Sequence, residues 1–149
     1  ADFGVCAWLT PERSRRSSLV GTAHWLAPEI MTKDQHGPQV DIWALGITCI
    51  EMLQGGPPYY EMNAQKVTNL IAAKGRPELP KREQLSPAFQ SFLDCCLQTD
   101  EDRLLSSFCS LTAFLFLSFG QHPFLQSAKP LSSLTPMIIA VKQQREERR

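Results

Sequence analysis

Most of the residues that could do chemistry in this chain fall between positions 2 and 29. Asp2, followed by Phe3-Gly4, is the one strong candidate for a metal ligand. A carboxylate suits Mg²⁺, which takes few protein oxygens and completes its shell with substrate phosphates. Phe3 would pack against apolar neighbours, and Gly4 supplies backbone freedom. Ser17 and Ser18 follow a basic run that holds Arg13, Arg15 and Arg16. A phosphate on Ser18, the better placed of the two, would bring nearly two negative charges to those arginines. Thr22 offers a hydroxyl that either helps hold a substrate or caps a turn. Glu29 and Arg103 form a candidate long-range ion pair, and if it is buried the loss of one partner costs ~3–5 kcal/mol. Asp41 is predicted to cap a helix, with or without accepting further N–H bonds from a neighbouring loop. His24, His36 and His122 adjoin no nucleophile or ligand grouping and receive no catalytic role.

The elements that must position these residues are helical. Residues 1–29 mix glycine, proline, serine and charge without periodicity, which predicts a long loop with short ordered ends. Gly37-Pro38 marks a turn, and Asp41 then opens an apolar stretch to Leu53. Its apolar residues surround the helix instead of striping it, so burial on most sides is expected, with Trp43 in the core. Gly55-Gly56-Pro57-Pro58 ends it. Asn63 is read as the cap of a second helix, with Val67, Leu70 and Ile71 on one face and Gly75 as its stop. Lys74 to Gln84, with Pro77 and Pro80, is read as loop. Ser86-Pro87 then starts a third helix, with Phe89, Phe92, Leu93 and Cys96 at amphipathic spacing. A last helix begins at Thr135-Pro136 and is expected to bury Met137, Ile138 and Val141 ahead of the charged tail. No internal repeat and no strand alternation is visible.

Composition narrows the classes. At 149 residues and 43% hydrophobic, the chain has enough for one core. Basic and acidic residues balance at 15 each, so no global field draws the chain to nucleic acid or an acidic membrane. Five cysteines, without Cys-x-x-Cys spacing, argue against a disulfide framework or a zinc site. They fit a reducing compartment, and a cytoplasmic location is expected. No initiator Met or signal peptide opens the sequence, which reads as though it starts in mid-chain.

With the motifs placed, the sequence resembles the p21-activated kinases, a family of serine/threonine protein kinases. Asp2-Phe3-Gly4-Val5-Cys6-Ala7, Arg16-Ser17-Ser18-Leu19-Val20-Gly21-Thr22 and Trp25-Leu26-Ala27-Pro28-Glu29 carry the likeness. It extends through Val40-Asp41-Ile42-Trp43-Ala44-Leu45-Gly46-Ile47, Gly56-Pro57-Pro58-Tyr59 and Arg76-Pro77-Glu78-Leu79, and resumes at Ala128-Lys129-Pro130-Leu131 and Ser132-Ser133-Leu134-Thr135-Pro136. The resemblance implies a mainly α structure, a partial protein-kinase C-terminal lobe of activation segment plus helices, without the β-rich N-terminal lobe. Residues 1–125 would be the incomplete kinase domain and 126–149 a tail with a short helix. It further implies transfer of the ATP γ-phosphate to serine or threonine of protein substrates, with ATP and Mg²⁺ as cofactors of the intact domain. On that likeness Asp2 is the metal ligand and Ser18 the activating phosphosite, with Ser17 second. Thr22 belongs to the substrate-side loop, and Glu29, Arg103 and Asp41 are structural. The arginines two and three residues before Ser18 resemble a basophilic kinase's own substrate site, which makes trans-autophosphorylation an expectation. Small GTPases would be partners only through regions absent here.

The departures carry weight too. No Gly-rich phosphate loop, strand lysine, pairing glutamate or His-Arg-Asp catalytic loop is present, so no catalytic residue proper is assigned. The chain alone is expected to be inactive and to bind neither cofactor tightly. Ala23 and His24 stand where relatives have Pro and Tyr, which bears on substrate preference. Residues 104–121 form a longer, Leu- and Phe-rich interval than the family's. Its apolar part, residues 104–119, falls short of the ~20 residues a membrane span needs and contains four serines and a threonine, so membrane insertion is not expected. A spliced or mispredicted replacement of the usual amphipathic helix is the expected origin, and it would expose apolar surface. Against the enzyme reading stands a non-catalytic module that docks on kinase partners through its helical surface.

Overall fold

A computed structural model describes residues 4–79, 82–99 and 120–148. The expectations for Asp2, Phe3, Arg103 and the interval 104–121 therefore concern residues that lie wholly or almost wholly outside it. The described chain is mainly helical, as predicted, and has no strand, only two isolated antiparallel bridges.

The centre is helix α2, Gln39–Gln54, preceded by the four-residue α1, Pro28–Met31, and a 3-10 turn at Ala23–Trp25. Ile42, Trp43, Gly46, Ile47 and Ile50 bury one continuous face of α2. Gly46 is there for close approach: a Cβ at this position would sit 2.6 Å from the Cys96 Cβ. At the other end Gly55 adopts φ 82°, which glycine enters at little cost, and its N–H closes the helix on the Glu51 carbonyl at 2.8 Å.

Two expectations for α2 change. Asp41 does not cap the helix, which begins two residues earlier, after Pro38. The fixed φ of Pro38, −66°, is already helical, so the turn at Gly37-Pro38 runs straight into α2. Asp41 sits in the first turn, where its charge still favours the positive end of the helix dipole. Nor is α2 buried all round: Leu45, Met52 (73% exposed) and Leu53 face outward, because no described element covers that side.

Helix α3, Ala64–Lys74, follows the prediction, and Asn63 caps it by accepting the Lys66 N–H at 2.9 Å. It buries Val67 and Ile71 and packs against α1 and the Ala23–Trp25 turn. Helix α4, Pro87–Cys96, is capped by the Ser86 hydroxyl and buries Phe92, Leu93 and Cys96 against α2. The intervening loop contains a 3-10 turn, Arg82–Gln84, and is clamped to α4 by Asp94. Arg82 Nη2 donates to Asp94 Oδ2 at 2.6 Å, and the Arg76 guanidinium lies in ion-pair contact with the other oxygen. Partial burial pushes the Asp94 carboxyl up, but the two guanidiniums outweigh it and hold the group below the usual carboxylate range.

The short α5, Pro123–Gln126, locks onto α4 through aromatic contacts, with Phe124 4.6 Å from Phe89 and 5.0 Å from Phe92 between ring centroids. Buried His122 caps it, Nδ1 accepting the Phe124 N–H at 3.2 Å. A 3-10 turn, Leu131–Leu134, leads into α6, Thr135–Glu147, so the last helix forms where expected. It does not bury what was expected. Met137, Ile138 and Val141 are 65%, 52% and 49% exposed, because α6 packs on the turn that precedes it and buries no residue of its own. Local signals suffice to make the helix; burial needs a neighbour. All four described cysteines are free, and desolvation raises the Cys49, Cys95 and Cys96 thiols, as befits packing groups.

Candidate functional site

The segment from Gly4 to Glu29 is ordered by a few main-chain ties instead of regular structure. Thr10 and Arg13 exchange N–H···O bonds of 3.3 and 3.0 Å across Pro11-Glu12, whose proline favours a tight turn. Glu12 accepts from its own backbone and from Thr10, which lowers its pKa. Arg16 and His36 exchange a second pair, at 2.9 and 2.7 Å, and so pin the segment to the loop before α2. Two guanidiniums add to this. Arg15 Nη1 donates to the Gln35 carbonyl at 3.3 Å, and Arg16 Nη2 donates to the Trp8 carbonyl at 2.6 Å. His36 is buried and directs Nδ1 at the Asp34 carbonyl at 3.2 Å, so that nitrogen carries the proton. At the far end the indole N–H of Trp25 donates to Glu51 of α2 at 3.2 Å.

These ties gather three of the residues singled out from sequence. Ser18, Thr22 and Asp41 all line one cleft of about 450 Å³, bounded also by Arg16, Trp25 and His36. Ser17 and Ser18 both line a second cleft of about 580 Å³ together with Arg13, Arg15 and Arg16. Ser17 and Ser18 are both exposed. The Thr22 carbonyl accepts the Trp25 N–H at 3.0 Å, but its hydroxyl makes no cap bond, so the capping alternative does not hold. Glu29 is half-buried in the first turn of α1, and its expected partner Arg103 lies outside the described residues.

Residues 1–124 match the family described as "Protein kinase domain". The chain belongs to the protein kinase family. Within it, this kinase chain is 49% identical to "Serine/threonine-protein kinase PAK 1" of Mus musculus over 142 residues, 95% of this chain and 24% of that protein. It is 45% identical to "Serine/threonine-protein kinase max-2" and 43% identical to "Serine/threonine-protein kinase pak-1", both of Caenorhabditis elegans, over 95% of its length. It spans about a quarter or less of these relatives. The p21-activated-kinase likeness read from the motifs thus extends along nearly the whole chain.

Protein kinases use Mg²⁺ and ATP. Among the described residues no group of three His, Cys, Asp or Glu side chains gathers to hold a metal, and Asp2 lies outside them. One carboxylate does not make a Mg²⁺ site without phosphates and a further ligand. Among the described residues no helix is long and apolar enough to cross a membrane.

Sequence reasoning missed how Arg16 is used. It counted as one charge of a basic run, but the structure makes it the tie between Trp8, His36 and the cleft. It also missed Asp94 as a clamp, which no motif spacing reveals, and His122 as a helix cap, although Pro123 behind it marks a first helical position.

Proposed function

We propose that residues 2–29 are the activation segment of a serine/threonine protein kinase that transfers the ATP γ-phosphate to protein substrates. The observation that carries this is the shared cleft of Ser18, Thr22 and Asp41, the last of them 19 residues beyond Thr22, which the likeness assigns to one segment and its helical base. Ser18 is the regulatory phosphosite and Ser17 the secondary one, both exposed to a modifying enzyme. Thr22, with its hydroxyl uncommitted to a cap, faces the substrate-side loop. Asp41, which also lines the cleft, has a structural role and serves the catalytic loop of the intact domain. Glu29 pairs with Arg103. Mg²⁺–ATP, bound by the intact domain, supplies the transferred phosphoryl group, and Asp2 is this chain's contribution to holding it. Residues 1–125 constitute the kinase part and 126–149 a tail, a division supported by the isolation of α6. The 149 residues alone are inactive. Small GTPases are partners only of regions beyond them.

The test is a transfer assay on the longer kinase chain that contains this sequence, with Asp2→Asn and Ser18→Ala variants. Loss of transfer in the first and reduced activity in the second are expected. Undiminished transfer by Asp2→Asn refutes the metal assignment. A second reading, a non-catalytic module that docks on kinase partners, is favoured by the exposed apolar side of α2 at Leu45, Met52 and Leu53. It predicts capture of a kinase partner by this chain without nucleotide, and a Leu53→Glu variant that captures equally well counts against it.

A further inference from the structure

We infer that α6 is a membrane-surface helix: it lies along an anionic lipid bilayer on the one side that carries both exposed apolar residues and basic ones. With 13 residues it is too short to cross, so it rests on the surface. The contact holds the kinase part of the chain beside a membrane.

The helix forms without cover. It packs on the turn that precedes it and buries none of its residues. Its exposed residues are nonetheless sorted around the axis. At 3.6 residues per turn, positions three, four, seven and eleven apart fall on one side. Met137, Ile138 and Val141 therefore share a side with Lys142, Arg145 and Arg148, and all six are exposed. Among the described residues no ion pair engages the three basic side chains. Glu146 and Glu147 are turned the other way, beside Gln143. Charge is sorted along the chain as well. Residues 127–149 hold five basic residues against two acidic ones, and residues 1–126 hold ten against thirteen. The neutrality of the whole chain thus hides a basic tail on an acidic remainder.

That combination selects the partner. A cationic row alone suits any polyanion, and an apolar row alone needs a matching apolar hollow. Both on one side fit a boundary where anionic headgroups lie directly over hydrocarbon. Met137, Ile138 and Val141 enter the headgroup layer, while the long stems of Lys142, Arg145 and Arg148 lie along it with their charges at the phosphates. Three apolar side chains give only reversible contact, so the basic residues are needed to hold it. The acidic remainder is repelled by the same surface, which leaves the tail to make the contact.

The 149-residue chain is mixed with sedimentable vesicles of phosphatidylcholine, with or without about 30% phosphatidylserine, at about 0.1 M salt. The partition coefficient should be about tenfold higher on the anionic vesicles and fall as salt is raised. Arg145→Gln and Gln143→Glu change the net charge equally, but on opposite sides of α6. The first is expected to weaken partitioning about fivefold and the second less than about twofold. Val141→Gln is expected to weaken it about fivefold, whereas Ile139→Gln, on the far side, should change it less than about twofold. Since α6 buries no residue, none of these substitutions touches the core. Equal binding to both kinds of vesicle, or equal losses from Arg145→Gln and Gln143→Glu, overturns the proposal. So does retention on polyglutamate beads without retention on the anionic vesicles, which points to an acidic protein partner instead.

Discussion

Substituting Gly46 by Ala should destabilise the chain, although intrinsic helix preference says the opposite. In the interior of α2 the change gains about 1 kcal/mol of propensity. The added methyl, however, falls 2.6 Å from Cys96 Cβ and 3.0 Å from Leu97 Cδ2. Carbon atoms rest at about 3.5–4.0 Å, so roughly 1 Å of room must be found. The Leu97 methyl can turn away, whereas a Cβ moves only with its helix. Displacing α4 disturbs Phe92, Leu93 and Leu97, all essentially fully buried. Overpacking of this kind costs about 1–3 kcal/mol, so the net effect is a loss of roughly 0–2 kcal/mol once the propensity gain of about 1 kcal/mol is set against it. Urea unfolding followed by far-UV circular dichroism reads this as a lower midpoint at unchanged slope. Cys96→Ala should not rescue, because it keeps the Cβ. A Gly46→Ala chain more stable than the parent refutes the claim that Cys96 and Leu97 press this closely on the α2 backbone.

Other outcomes follow from the same structure. Asp94→Asn removes the clamp on Arg76 and Arg82; because these side chains are about a third exposed, the loss should be only ~1 kcal/mol in urea unfolding. Since the folded state holds the Asp94 carboxyl below its ordinary value, that stabilisation is present above the unfolded pKa of about 3.9 and disappears as pH falls through the lower folded value. The parent and the variant should therefore converge in thermal midpoint in strong acid. Asn63→Ala removes the α3 cap and should cost ~1 kcal/mol, with amide exchange rising first at Lys66. Ile138→Glu in α6 should change unfolding by less than about 0.5 kcal/mol, whereas Phe92→Ala should cost ~3–5 kcal/mol.

Where the sequence carried local signals, the fold was legible. Asn63, Ser86-Pro87, Gly55 and Gly75 punctuate helices for reasons that act within a few residues, and those boundaries agree. What depends on neighbours was not. The apolar residues of α2 look alike along the chain, yet Ile47 is buried and Met52 bare, because α4 covers one side only. Met137 and Ile138 misled for the same reason. In the candidate site, the residue types and their order pointed to Ser18, Thr22 and Asp41, and the structure brings these three to one cleft. The cap role of Asp41 failed because Pro38 can begin the helix earlier. Arg16 went unread because a bond to the Trp8 carbonyl, eight residues back, leaves no trace in side-chain pattern.

The bridge between Arg16 and His36 also bears on how the chain meets proteases. Trypsin needs the peptide around an arginine to leave its neighbours and lie as a strand in the enzyme's own groove. Both main-chain groups of Arg16 are already occupied, and its head group is engaged at Trp8. Arg13 exchanges its main-chain bonds only with Thr10 inside one local turn, whereas Arg16 is tied across to His36, so the run from Arg13 to Ser18 should be nicked after Arg13 before the bond that follows Arg16, which gives digestion order as a direct gauge of whether the segment keeps its shape.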